Sequence, residues 1–189
     1  MYDDHIIGLV SPSDLKTIEQ LALFVPKKGI VVETGSFLGK SSYAWAKSVH
    51  PSVTVYCIDM WDDSDQSNHG PCSLDVFKEN TKDCPNIIPI QASSPYDKVI
   101  KNWNKYIDLY FDDADHRNPT LRHNIDHWEP FIKSTGILCG HDYDPCFDSE
   151  VVFGTDVKEV VDNLYKKYNN LILVDSFWII SKNNKKLNI

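Results

Sequence analysis

Residues 30–42 read I-V-V-E-T-G-S-F-L-G-K-S-S, from Ile30 to Ser42. An apolar, β-branched run is followed by an acid, two glycines four apart and small hydroxyl residues that open a helical pattern, which predicts a strand, a tight turn and a helix N-terminus. Glycine adopts positive φ at little cost and leaves no side chain in the way, so Gly35 and Gly39 suit a turn where a ligand lies against bare backbone. The helix opening near Gly39 points its free N–H groups at that turn. Two phosphate motifs fit poorly. A P-loop needs G-x-x-x-x-G-K-[ST], and Gly35–Ser41 is one residue short; a dinucleotide fingerprint needs a glycine where Phe37 stands. A strand-to-helix turn with no ligand remains open. Glu33, an acid at the strand end, favours a ligand with cationic or hydroxyl groups over a phosphate.

Working outward, residues 53–59 (V-T-V-Y-C-I-D) predict a second strand ending in Asp59, twenty residues beyond Gly39. An acid at that place in a β-α-β unit accepts hydrogen bonds from ribose hydroxyls. Residues 107–111 (I-D-L-Y-F) predict a fourth strand, followed by the run Asp112-Asp113-Ala114-Asp115-His116. Carboxylates so close raise one another's pKa unless a cation intervenes, so they either splay into water or hold a metal. Gly136–Gly140 predicts the fifth strand, followed by His141-Asp142-Tyr143-Asp144. Neighbouring parallel strands end on the same side, so these two titratable clusters should face each other.

The E-x-G-x-x-x-G-x-S pattern of Glu33, Gly35, Gly39 and Ser41 resembles motif I of class I S-adenosylmethionine-dependent methyltransferases. More closely, the chain resembles a group of small methyltransferases whose fourth strand ends in D-G-x-H and whose fifth ends in G-H-D-Y. Here these are Asp113 to His116, with Ala114 in place of glycine, and Gly140 to Tyr143. The resemblance runs from about Ile30 to Lys182 and implies a Rossmann-like α/β fold with a seven-stranded, mostly parallel sheet, helices on both faces and a C-terminal antiparallel hairpin. It implies S-adenosylmethionine held by Glu33, Gly35, Ser36, Gly39, Ser41, Asp59, Trp61, Ser93 and Asp113, with Trp61 bordering the adenine. Gln91 replaces the glycine usual before Ser93. The expected chemistry is methyl transfer to a hydroxyl on a small molecule or sugar, with His116 as general base and Asp113 beside it. Asp113, Asp142 and His141 form an expected site for Mg2+ or another divalent metal, although a His ligand is unusual for Mg2+. The rival reading is a non-catalytic nucleotide-binding or regulatory module, supported by Lys40 beside two serines.

The chain of 189 residues, 42% hydrophobic, suits one domain, with a helical segment at 1–28, a core at 29–182 and a tail at 183–189. A net charge of −8 argues against a nucleic acid partner, because such binding relies on clustered Lys and Arg. No apolar run is long enough to span a bilayer, so no membrane partner is expected. A homo-oligomer is compatible with the reading. Five cysteines without a C-x-x-C pair suit reduced thiols of a soluble cytoplasmic protein, with Cys57 and Cys139 in the core. His69 and Cys72 have no matching second pair of ligands and do not predict a metal site.

The remaining elements follow from local signals. Ser11-Pro12-Ser13-Asp14 predicts a capped helix with Leu15, Ile18, Leu21, Ala22 and Val25 on one face, ended by Pro26 and forming a rim of the cofactor pocket. Helices are expected over 41–49, 73–84, 94–103, 119–133 (with Pro119 at N1) and 156–167. Residues 87–90 predict a third strand whose Pro89 marks a sheet edge. Strands at 171–174 and 177–181 flank the tight turn Asp175-Ser176, and loops at 62–72 and 145–155 should rim the acceptor.

Overall fold

In the computed structural model, residues 6–62, 72–143, 155–184, 186, 187 and 189 are described. Ser11 caps helix α1 (Pro12–Ala22) in a full capping box: its hydroxyl accepts from the Asp14 N–H, and the Asp14 carboxylate accepts from the Ser11 N–H at 2.7 Å. The apolar stripe Leu15, Ile18, Leu21 and Ala22 is buried. The chain then alternates strand and helix: β1 (Ile30–Thr34), α2 (Lys40–Ser48), β2 (Thr54–Asp59), α3 (Leu74–Asn80), β3 (Ile87–Gln91), α4 (Lys98–Lys101), β4 (Ile107–Asp112), α5 (Thr120–Trp128), β5 (Ile132–Gly140), α6 (Thr155–Tyr168), β6 (Ile172–Val174) and β7 (Phe177–Ser181).

The strands form one seven-stranded sheet in the order β3-β2-β1-β4-β5-β7-β6. β1 to β5 pair in parallel, and β7 runs antiparallel to both β5 and β6. This is the expected Rossmann-like class I methyltransferase fold, including the closing hairpin and Pro89 on an edge strand. Alternation along the strands separates two apolar layers. Val31, Val55, Cys57, Leu109, Phe111 and Cys139 face α1 and α2 with Trp45; Val32, Tyr56, Ile58, Tyr110 and Leu138 face α5 and α6 with Trp128. Among the described residues, no helix is long and apolar enough to cross a membrane.

Several boundaries differ from the sequence expectation. α1 stops at Ala22, with Leu23 as its C-cap. The helix expected over 73–84 is capped by Ser73 and ends at Asn80. The one expected over 94–103 contracts to α4, because Pro95 and the Asp97 carboxylate, which accepts from the Ser93 N–H, hold 93–97 in turns. The one expected over 119–133 has Pro119 as its N-cap and ends at Trp128, since Pro130 has no N–H to continue the ladder. A 3-10 turn at Glu129–Phe131 follows, and β5 starts at Ile132, four residues earlier than expected. That early part of β5 is polar at Lys133 to Thr135 and carried no apolar signal. The predicted rim loops lie almost entirely outside the described residues, as do His69, Asp144 and Cys146.

The register places the site. Thr34 pairs with Ile58 on one side and Asp112 on the other, and Asp112 pairs with Gly140, so the carboxyl ends of β1, β2, β4 and β5 form one edge. Chain order reverses between β1 and β4, the switch point where open α/β sheets bind ligands.

Candidate active site

At the end of β1, Glu33 is fully buried. Its Oε2 accepts hydrogen bonds from Ser36, at 2.8 Å, and from Ser42, while Oε1 has no partner. Burial pushes its carboxyl up to about 7, although the hydroxyls of Ser42, Ser41 and Ser36 pull the other way. Ser36 and Ser41, expected to hold the cofactor, are both buried and turn their hydroxyls to the Glu33 carboxylate. Ser42 does the same and was missed, because a third serine in a helical pattern gives no separate signal.

The two glycines are demanded by the chain itself as well as by any ligand. Gly35 has φ +83, and a Cβ there would sit 1.9 Å from the Asp113 carbonyl oxygen; Gly39 has φ +94, and its Cβ would meet Thr81 and Phe77 of the α3 segment. Asp59 closes the turn from β2, its Oδ2 accepting from the Phe37 N–H at 2.8 Å and its Oδ1 from the Trp61 N–H at 3.0 Å. Trp61 departs from expectation. Its indole is 3% exposed, packs on Phe77 and donates to the Phe37 carbonyl at 2.7 Å, so it props the turn from beneath and leaves Met60 as the exposed neighbour of Asp59. Gln91 donates to the carbonyls of Met60 and Trp61, tying β3 to β2, and Ser93 lies half-buried in the turn beyond.

The acidic run after β4 splays three ways, which is how its carboxylates avoid one another. Asp112 points inward, accepting from Tyr110 Oη at 2.9 Å and Asn124 Nδ2 at 3.0 Å, and burial pushes it up to about 6. Asp115 points outward to Arg117 at 2.9 Å. Asp113 alone turns to the sheet edge. There it meets the residues from β5, as the strand-end reading anticipated. His116 Nε2 lies 3.6 Å from Asp113 Oδ1 and 3.2 Å from Asp142 Oδ2; His141 Nδ1 lies 3.1 Å from Asp142 Oδ1 and 3.8 Å from Asp113 Oδ1. Asp142 holds a left-handed backbone, φ +59, a strained conformation for a non-glycine residue. A residue from outside the expected site joins them: Asp14 of α1, whose Oδ2 lies 3.2 Å from His141 Nε2. Its capping role in the sequence masked that second contact.

Three carboxylates therefore surround two imidazoles. Burial lowers the basicity of both rings, but the carboxylates outweigh it: His141 rises to about 10, and His116 is also raised, by Asp113 and Asp142. His116 thus stands above the ordinary imidazole value. Burial likewise raises Asp113 against the two histidines. Neither His116 Nε2 nor His141 Nε2 has a straight hydrogen bond, so charge attraction holds the rings. Asp113, His141 and Asp142 each offer one ligand atom, all within 4.8 Å of one another, a mixed carboxylate and imidazole set that fits a divalent cation.

The methyltransferase domain family model matches residues 32–143, from the third residue of β1 to the residue after Asp142. No curated protein matches. Among solved structures, an rRNA methylase from Streptococcus thermophilus superimposes with a TM-score of 0.63 at 13% identity, covering 93% of this chain and 99% of that one. A Staphylococcus aureus protein, named by inference as a caffeoyl-CoA O-methyltransferase, gives 0.67 at 15%, covering 93% and 85%. An O-methyltransferase from Bacillus cereus, in complex with S-adenosylhomocysteine, gives 0.62 at 13%, covering 95% and 86%. At such identities these likenesses speak for the fold, whereas the family match spans more than half of the chain. The chain belongs to the methyltransferase domain family, with the class I fold and S-adenosylmethionine as the family's methyl donor.

Proposed function

We propose that this protein transfers a methyl group to a hydroxyl of a small molecule or sugar, with the acceptor held at the ends of β4 and β5. The observation that carries the reading is the convergence of His116, 3.2 Å from Asp142 and 3.6 Å from Asp113, on the edge that also carries the glycine turn. Methyl transfer to oxygen requires a nucleophile freed of its proton and aligned with the donor carbon. S-adenosylmethionine supplies that carbon. Glu33 offers a buried, unpartnered Oε1 to a cationic group, and Asp59 retains free lone pairs for ribose hydroxyls.

His116 is the base in this reading. A base must be neutral, and the two carboxylates hold a proton on the ring, so its competence grows as pH rises above its raised pKa. A divalent cation held by Asp113, Asp142 and His141 would supply Lewis acidity toward the acceptor oxygen and cancel the negative field on His116. The imidazole in the donor set favours a transition-metal ion, Mn2+ among them, over Mg2+. The net charge of −8 sets this chain apart from proteins that grip RNA by its phosphates and supports a small acceptor.

Calorimetry with S-adenosylhomocysteine, with and without Mn2+, followed by methyl transfer to polyol and phenolic acceptors, tests the proposal. Binding of S-adenosylhomocysteine and chelator-sensitive transfer to a hydroxyl are expected. Tight ATP binding with no response to S-adenosylmethionine would replace it with the nucleotide-module reading, and transfer to RNA alone would remove the small acceptor.

A further inference from the structure

α1 lies wholly before residue 32, where the family match begins, yet it delivers a nearly buried carboxylate to the site. Asp14 Oδ2 accepts from the Ser11 N–H at 2.7 Å and lies 3.2 Å from His141 Nε2, with the Asp14 side chain 5% exposed. The opposite edge of the same ring places Nδ1 at 3.1 Å from Asp142 and 3.8 Å from Asp113. Phe177 packs edge-on against the ring, with centroids 5.5 Å apart, and limits its rotation. The imidazole is therefore clamped between α1 on one edge and the β4–β5 cluster on the other. We propose that Asp14 is a positioning residue: by holding the Nε2–H edge of His141 toward α1, it leaves Nδ1 as the atom presented to Asp113 and Asp142.

The inference deepens the proposed function, because a metal-ligating imidazole depends on the partner of its other nitrogen for tautomer and aim. It also assigns a role to the N-terminal helix beyond packing: the helix cap and the site share one carboxylate oxygen, so loss of the cap and loss of ring position can be separated by mutation. Asp14→Asn keeps the shape and an oxygen for the Ser11 N–H. Facing Nε2, however, its neutral amide no longer attracts the ring, so His141 loses the α1 side of its clamp. Ser11→Ala weakens the cap and leaves the ring contact in place.

The test uses the full chain, metal-free, with 15N-labelled histidine, and reads the ring nitrogens of His141 by NMR. A protonated Nε2 is expected in the wild type and in Ser11→Ala, and its signal should shift or vanish in Asp14→Asn. An unchanged His141 signature in Asp14→Asn overturns the proposal. Should Asp14→Asn fail to fold, Asp14→Glu, which keeps the charge, replaces it; retention of the wild-type signature there, with loss in Asp14→Ala, supports the proposal, and identical signatures in both overturn it. A Mn2+ titration is the second readout. If the wild type binds Mn2+, Asp14→Asn should weaken it roughly 10- to 100-fold, with S-adenosylhomocysteine affinity unchanged and Ser11→Ala lowering only the melting temperature. A wild type that takes up no Mn2+ defeats the metal part of the proposed function, while the ring nitrogens still decide the role of Asp14.

Discussion

At the ends of β1 and β2, the acids are held by donors from their own chain: Glu33 by serine hydroxyls and Asp59 by the N–H groups of Phe37 and Trp61. At the ends of β4 and β5, Asp113 and Asp142 face histidines whose Nε2 atoms lack straight hydrogen bonds, and Asp142 carries a strained backbone. The first region is a nearly finished scaffold: apart from Glu33 Oε1 its acids are paired, and its shape is fixed by glycines that its own packing requires. The second keeps charges in tension, which costs stability and is the usual mark of a place where charge must move or a cation be met. The contrast assigns binding to the first and chemistry to the second.

The largest effect that could break this division comes from His116. His116→Ala should lower kcat by roughly 10² to 10⁴ and leave the affinity for S-adenosylhomocysteine nearly unchanged, because the lost interaction belongs to the transition state. Steady-state kinetics with calorimetry measure both. A variant that loses cofactor binding in proportion to rate would mean that the two regions are one.

Gly35→Ala probes the point where they touch. The left-handed φ alone costs about 1–2 kcal/mol for a residue with a Cβ, and the 1.9 Å approach to the Asp113 carbonyl adds to it by forcing the β4 end aside. Urea denaturation should show the loss of stability, accompanied by weaker cofactor binding and slower turnover together. Unaltered stability would show that the Asp113 backbone is free to move away.

Asp59→Ala acts on the first region alone. It should weaken S-adenosylhomocysteine by roughly 1 to 3 kcal/mol, the scale of charge-assisted hydrogen bonds, with any Mn2+ affinity unchanged. An equal loss of Mn2+ affinity would argue against separable regions.

The sequence disclosed this division unevenly. The glycine turn was legible because positive φ restricts residue choice, and the convergence of Asp113, His116, His141 and Asp142 followed from parallel strands ending on one side. What escaped was set by tertiary contact. Ser36 and Ser41 have the composition of ligand-binding residues, yet a buried carboxylate needs donors and takes theirs. Trp61 was assigned to the cofactor by resemblance, whereas the space under the turn, lined by Phe77, claims its ring. Asp14 satisfied a capping box so well that local reading had no cause to look further. Pro130 is the local signal for the early end of α5, and the apolar spacing of Leu121, Ile125, Trp128 and Ile132, which runs on into β5, hides it.

A pH series tests how Glu33, with its unpartnered Oε1, is charged inside that scaffold. Its carboxyl is raised from 4.5 to about 7 by burial, so between those values the folded state keeps a proton that the unfolded chain has released. Folding then binds protons, and stability falls as pH rises through the window, by at most about 1.4 kcal/mol per pH unit, levelling above about pH 7 where both states are ionised. Glu33→Gln removes this term. Urea unfolding of wild type and variant at pH 5, 6, 7 and 8, without cofactor, should show the wild type losing ground to the variant up to about pH 7 and no further. A difference that stays constant with pH would mean that the serines hold Glu33 ionised throughout, making the first region still more complete. In that case its free Oε1 is a standing negative charge, and added S-adenosylhomocysteine should bind the wild type more tightly than the variant at every pH.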